Sequence, residues 1–163
     1  MTALLILLVL VPWSIARQMH AHPVTAVSLV KLPAIFAAIG ILGFGTGAVP
    51  TDGRAIAYLA VSLALSVGLG VWRGALMPVW PDSAGRTLAQ GNRVTIALWI
   101  ALIASKVALG TWASITGVFP GEHAGEIFVF IAISFAAQNV VVAHRAQRWR
   151  QPQRSTNAAS SRT

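Results

Sequence analysis

The chain has 163 residues, 56% of them hydrophobic and only 10% charged, with a mean hydropathy of +0.71. A soluble domain carries about 25% charged residues and a disordered chain needs low hydrophobicity, so the composition excludes both classes. Without cysteine there is no disulfide, dithiol redox pair or thiolate metal site. The net charge is +8, and in a membrane protein an excess of basic residues primarily indicates which loops are cytoplasmic.

Five apolar runs predict five transmembrane helices, and therefore an all-α integral membrane protein. A spanning helix needs about 20 apolar residues, with a range of about 17 to 25. The first run is short, about 22 Å as a helix. Because no Lys or Arg precedes it, we expect an uncleaved anchor rather than a cleaved signal peptide. The predicted spans are 2–16, 32–49, 55–72, 94–114 and 126–143.

The basic residues predict the orientation of these spans. With five spans, ten of the twelve basic residues fall on one face of the membrane. The opposite face carries only Arg54, and Lys106 lies inside the fourth span. Basic residues favour cytoplasmic loops, so we expect the N-terminus outside and the C-terminus in the cytoplasm. The basic residues on the predicted cytoplasmic face are Arg17, Lys31, Arg73, Arg86, Arg93, Arg145, Arg148, Arg150, Arg154 and Arg162.

Small residues are candidates for packing between the helices. Gly43 and Gly47 form a GxxxG pair in the second span, and Gly70 and Gly74 form another at the end of the third. Lipid offers helices no hydrophobic reason to associate, so close backbone approach at glycine matters. We interpret both pairs as packing within the bundle, with homodimerisation through one of these faces as the alternative.

The loop between the third and fourth spans predicts a short cytoplasmic β-hairpin over residues 77–88. A polar turn around Asp82 separates two short extended segments. We expect Trp80 and Leu88 to face the bundle or bilayer, and Asp82 and Arg86 to face water. An isolated hairpin is marginally stable, so it should lie on the end of the bundle or on the lipid surface.

A sparse set of motifs extends over most of residues 15–145. The motifs are Arg17, Met19, Pro23-Val24, Lys31-Leu32-Pro33 to Gly40, Arg73, Val79-Trp80, Asp82, Gly85-Arg86, Gln90-Gly91, Trp99 and the intramembrane Lys106. This set resembles the CcdC-like family of small bacterial integral membrane proteins, most closely its actinobacterial branch. The resemblance implies the bacterial inner membrane and, through the family name, an accessory role in cytochrome c biogenesis, within a family largely without assigned activity. Lacking cysteine, this chain has neither a dithiol pair nor a CxxCH haem-attachment site.

Lys106 is the first candidate for a functional residue. It lies about 18 Å from the cytoplasmic boundary of its span. A charge at that depth costs several kcal/mol unless it is paired, solvated or snorkelling. One alternative is snorkelling to the outer interface. The other is an ion pair or proton site with Asp52, Glu122 or Glu126, to which Gln138 and Asn139 could add hydrogen bonds.

Other candidate sites are weaker. Arg73, Asp82 and Arg86 could form the site of a membrane enzyme. The histidines of the His20-x-His22 motif lack a cysteine or carboxylate nearby, and we expect a solvated loop rather than a metal site. His123 with Glu122 and Glu126 could hold a divalent cation. No nucleophile–base arrangement or phosphate loop can be assembled, so we expect no enzyme, catalytic residue, metal or cofactor.

The predicted domain organisation is one transmembrane domain, 1–145, followed by a basic disordered cytoplasmic tail, 146–163. Each basic residue near an anionic leaflet is worth about 1 kcal/mol, so Arg145, Arg148, Arg150 and Arg154 are predicted to bind lipid headgroups. Nucleic-acid binding would need a folded basic face or an aromatic platform, and neither is visible.

The sequence therefore predicts a non-enzymatic accessory or scaffold protein, with another membrane protein or a second copy as its partner. The alternative is a small transporter or a proton- or ion-coupled permease that uses Lys106. Transporters show inverted repeats or broken helices, and the five dissimilar spans show neither.

Overall fold

The computed structural model describes residues 2–44, 52–118 and 124–160, with largely helical structure and one small sheet. The elements in chain order are α1 (Thr2–Met19), β1 (His22–Pro23), α2 (Ala26–Phe44), α3 (Gly53–Leu76), β2 (Val79–Pro81), β3 (Thr87–Ala89), α4 (Arg93–Ile115) and α5 (Ala124–Ser160).

Four helices, α2 to α5, are long and apolar enough to cross a membrane, which indicates a multi-pass membrane protein. Their outward faces carry large apolar side chains such as Leu42, Ile100, Val107 and Ile115, all exposed. Large apolar side chains exposed along helices of this length suit lipid rather than water. The first predicted span forms α1, which is not among these four, so the fifth span stays a prediction.

Side-chain caps set where two of the spanning helices begin. The Asp52 carboxylate accepts hydrogen bonds from the backbone N–H groups of Arg54 and Ala55, at 3.2 and 3.3 Å, before the first turn of α3. Asn92 and Thr95 form a reciprocal capping box at the start of α4. Both caps satisfy N–H groups that the helix itself leaves unpaired.

The core lies around α5, which packs mainly against α2 and α3. Phe36 of α2 and Trp99 of α4 both contact Phe135 of α5, with ring centroids 5.5 and 5.1 Å apart. All three rings are buried. The aromatic cluster therefore joins α2 and α4 to the central helix α5.

Glycines bring α3 close to α5. A Cβ added at Gly74 would lie 2.6 Å from the carbonyl oxygen of Gln138, and one at Gly70 would collide with the carbonyl of Ser134. Gly70 and Gly74 therefore form the close contact between α3 and α5 within the bundle, as expected for a GxxxG pair. Gly43 is exposed and Gly47 lies outside the described residues.

The predicted hairpin is present and belongs to a three-stranded antiparallel sheet of order β1-β3-β2. Trp80 pairs with Leu88 across β2 and β3, and β1 adds a third strand that the sequence did not predict. Trp80 and Leu88 were predicted to face the bundle or the bilayer, and the first of these alternatives is wrong. Val79 and Ala89, one position along each strand, form the buried face, and Trp80 and Leu88 lie half-buried on the opposite face.

The basic tail also differs from its prediction. Residues 146–160, expected to be disordered, continue α5 through Ser160. Extending an existing helix avoids the cost of nucleation. Pro152 within this segment works against helix formation, so residue propensity alone does not explain the extension.

Candidate functional site

Lys106 lies at the centre of a buried polar cluster formed by three helices. It is 7% exposed, and its ammonium forms an ion pair with the carboxylate of Glu126 in the first turn of α5. The same ammonium donates to the hydroxyls of Tyr58 and Ser62 on α3, at 2.9 and 3.4 Å. These three hydrogen bonds use all the donors of the ammonium group.

The depth of Lys106 explains why Glu126 is its partner. Lys106 lies nine residues, or about 14 Å, before the end of α4, whereas Glu126 lies at the very start of α5. The flexible stem allows the ammonium to meet the carboxylate near that end of the bundle. Of the other predicted partners, Asp52 caps α3, and Glu122 lies outside the described residues, as does His123.

The cluster carries no net charge, which is what a membrane interior favours. The rings of Tyr58 and Phe130 add contacts with the ammonium, at 5.0 and 5.5 Å from their centroids. Removing one partner of a buried ion pair leaves an uncompensated charge, typically at a cost of about 3–5 kcal/mol. Lys106 and Glu126 therefore depend on each other.

Arg73 forms a second buried cluster near the other end of α3. It is 1% exposed, and its Nε and Nη2 donate to the side-chain oxygens of Gln138 and Ser134 on α5. The guanidinium lies over the rings of Trp99 and Phe135, 4.2 and 5.4 Å from their centroids. Arg73 therefore links α3 to both α4 and α5.

Asp82 and Arg86 form a separate site in the β2–β3 turn. Their side chains make an ion pair of 2.8 Å, and the Asp82 carboxylate also accepts from the backbone N–H groups of Ala84 and Arg86. The backbone N–H of Arg86 is the largest influence that lowers the pKa of Asp82, and the Arg86 side chain adds to it. Arg73 points into the bundle instead, so the structure does not assemble the three residues into one site.

Arg145, predicted to bind lipid headgroups, contacts the end of α3. Its Nη1 donates to the backbone carbonyls of Gly74, Ala75 and Met77, at 2.9, 2.8 and 2.7 Å. These are carbonyls at the end of α3, where a positive charge is favourable. Arg148 is exposed, whereas the side chains of 150 and 154 lie outside the described residues.

The two clusters lie along one interface, which we call the α3–α5 seam. On α3 it consists of Tyr58, Ser62, Ser66, Gly70, Arg73 and Gly74; on α5 it consists of Glu126, Phe130, Ser134 and Gln138. Between the clusters, the Ser66 hydroxyl donates to the carbonyl of Phe130. On both helices seam residues recur every four positions. This spacing is the sequence signal that identifies Tyr58 and Ser134 as members of the interface.

Gln138 and Asn139, predicted as further polar partners of Lys106, bind elsewhere. The structure places Gln138 against Arg73, and Asn139 donates to the carbonyl of Leu29 on α2. In the part of the chain that the structure describes, every buried side-chain nitrogen and oxygen has a hydrogen-bond partner. The same residues contain no group of three or more His, Asp or Glu that could hold a metal ion.

No family model, curated protein or solved structure matches this chain.

Proposed function

We propose that this protein is a five-span protein of the bacterial inner membrane that acts as a non-enzymatic scaffold or accessory to another membrane protein. One observation carries the proposal. The buried polar side chains of the described bundle bind one another, as in the cluster of Lys106, Glu126, Tyr58 and Ser62. Internal pairing of this kind holds helices in one arrangement and leaves the outward faces for lipid and a partner.

The charge distribution supports the proposed orientation, with the N-terminus outside and the C-terminus in the cytoplasm. The end of the bundle that carries the small sheet also carries Arg17, Arg86 and Arg93. The excess of basic residues on one side favours that side as cytoplasmic. The resemblance to the CcdC-like family supports the bacterial inner membrane and an accessory role.

The test is capture of the tagged full-length chain in mild detergent, followed by mass spectrometry of the membrane proteins that co-purify. We expect a specific partner that also captures the chain when the tag is moved to the partner. A chain that purifies alone as a monomer would contradict the scaffold role. A chain that purifies only with itself would point to the homodimer.

The second candidate is a proton- or ion-coupled permease. The Lys106–Glu126 ion pair favours it, because ionisable residues inside membrane helices commonly belong to ion or proton pathways. Proteoliposomes with an internal pH dye would compare the natural protein with the Lys106→Met/Glu126→Leu double variant, which removes both charges together. A permease loses its proton flux in the double variant. A scaffold shows no flux in either protein and keeps its partner in both.

A further inference from the structure

Arg73 is a buried positive charge whose described neighbours are all neutral. It contacts Gln138, Ser134, Trp99 and Phe135. Lys106, by contrast, has a carboxylate beside it. The carboxylates of the chain are Asp52 at the start of α3, Asp82 in the ion pair with Arg86, Glu126 in the ion pair with Lys106, and Glu122, which lies outside the described residues and two positions before α5.

The guanidinium lies within the span rather than at its surface. A helical side chain tilts toward the N-terminus of its helix, so that of Arg73 runs back from the last turn of α3 into the bundle. It meets Trp99, six residues or about 9 Å into α4. On α5 it meets Ser134, ten residues or about 15 Å from the start of the helix, the end that Glu122 precedes.

Neutral partners orient this charge but do not balance it. The face of Trp99 attracts the guanidinium, and the oxygens of Gln138 and Ser134 accept its hydrogen bonds. The cluster still carries a net charge of one in a low-dielectric interior, where an unbalanced charge is strongly disfavoured. A counter-ion would remove that cost.

We propose that Arg73 binds a small monovalent anion of the chloride class. One guanidinium is balanced by one negative charge, whereas a divalent anion would leave a buried excess of the opposite sign. The ion must be small, because Arg73 is 1% exposed among packed aromatic rings. Besides the guanidinium, the hydroxyl of Ser134 and the amide of Gln138, which also donates to the sulfur of Met77 at 3.9 Å, are donors of the kind that anions accept.

The test measures thermal unfolding of the full chain in nanodiscs of phosphatidylcholine, a lipid with no net charge. Sodium chloride replaces sodium gluconate at constant ionic strength. A ligand that binds only the folded protein raises Tm, and above its Kd each tenfold rise in its concentration adds the same increment of stability. We expect this dependence on chloride in the natural protein and in Arg86→Gln, whose side chain is 70% exposed in the turn. We expect none in Arg73→Gln.

A second measurement does not depend on the folding of Arg73→Gln. Bromide quenches tryptophan fluorescence on contact, and Trp99 is fully buried beside the guanidinium. We expect a saturable quenching component in the natural protein that is absent from Trp99→Phe and that chloride competes away. Absence of both the saturable quenching and the chloride dependence would overturn the proposal.

Other outcomes would also overturn it. If sulfate raises Tm as much as chloride does, the effect is general to salt rather than binding at Arg73. If Tm follows the fraction of phosphatidylglycerol in the nanodisc and ignores chloride, the counter-charge is a lipid phosphate and the free anion is refuted. Retention of the full chloride dependence in Arg73→Gln would place the anion elsewhere. The inference does not rest on the scaffold or permease roles, because anion binding is measured without a partner or a pH gradient.

Discussion

The Lys106→Met variant tests the buried ion pair most directly. It leaves the Glu126 carboxylate about 10% exposed and without its ammonium partner. Loss of one partner of a buried pair costs about 3–5 kcal/mol. The start of α5 offsets about 0.3–1 kcal/mol of this, because a helix N-terminus favours a negative charge. We therefore expect a loss of about 2–5 kcal/mol in the free energy of unfolding.

The assay is reversible unfolding of the purified protein in detergent micelles, arranged as a double-mutant cycle with Glu126→Leu. The double variant Lys106→Met/Glu126→Leu buries no unpaired charge, so it should lose less stability than either single variant, with a coupling energy of about 2–3 kcal/mol. Lys31→Met, which removes an exposed lysine, is the control and should change stability by less than about 0.5 kcal/mol. A coupling energy near zero would show that the two side chains do not form a pair.

Three further predictions concern the helix interface, the turn and the topology. Gly70→Ala should lower stability by about 1–3 kcal/mol, because its methyl group meets the backbone of α5, whereas Gly68→Ala, with open space around it, should not lower it; equal effects would contradict the packing. The pKa of Asp82 is lower in the folded turn than its ordinary value of 3.8. Its stabilising contribution is therefore complete above that value and is lost as the pH falls through the folded pKa, which amide exchange at Ala84 and Arg86 would detect as faster opening in acid. In Asp82→Asn that acid-dependent step should be absent, and its persistence would assign it to another group. A C-terminal fusion should be fluorescent with green fluorescent protein and inactive with alkaline phosphatase; the reverse pattern would refute the proposed orientation.

Hydropathy and charge were sufficient to predict most of the helical structure and the two charged residues of the Lys106 cluster, but not its hydroxyl partners. Each of α2 to α5 overlaps a predicted span, but α2 is Ala26–Phe44 rather than 32–49, with Lys31 inside the helix, and α5 continues past residue 143 to Ser160. An apolar run therefore predicts a spanning helix without defining where that helix begins and ends. Glu126 could be predicted only as one of three candidate partners of Lys106, with Asp52 and Glu122, because all three are carboxylates on the same predicted face of the membrane. An ammonium inside a bundle needs such a partner.

The buried face of each helix could not be predicted in the same way. A soluble helix marks its buried face with apolar residues, but a membrane helix is apolar on all sides. On α3, Val61 and Leu63 are exposed, whereas Ser62 and Ser66 between and beyond them are buried. The spacing of four residues from Tyr58 through Ser62 and Ser66 to Gly70 marks this face of α3. Which helix packs against it depends on contacts between distant parts of the chain.

Arg145 shows how the end of a neighbouring helix can compete with lipid for a basic side chain. Arg145 follows the fifth predicted span, so its charge indicated a headgroup contact. Its guanidinium binds the carbonyls at the end of α3 instead, because those groups have no partner within their own helix. Nothing in the local sequence around Arg145 shows that the end of α3 is within reach.

The order of the helices along the chain has a consequence for biosynthesis. Lys106 and Arg73 are both translated before α5, which supplies Glu126, Ser134 and Gln138. During synthesis, the two cations therefore enter the membrane region ahead of their partners, and nothing on α5 can satisfy them until that last helix is inserted. A nascent chain that stops before α5 lacks the carboxylate that balances Lys106 and both side-chain acceptors of Arg73, although Tyr58, Ser62 and Trp99 are already present on α3 and α4.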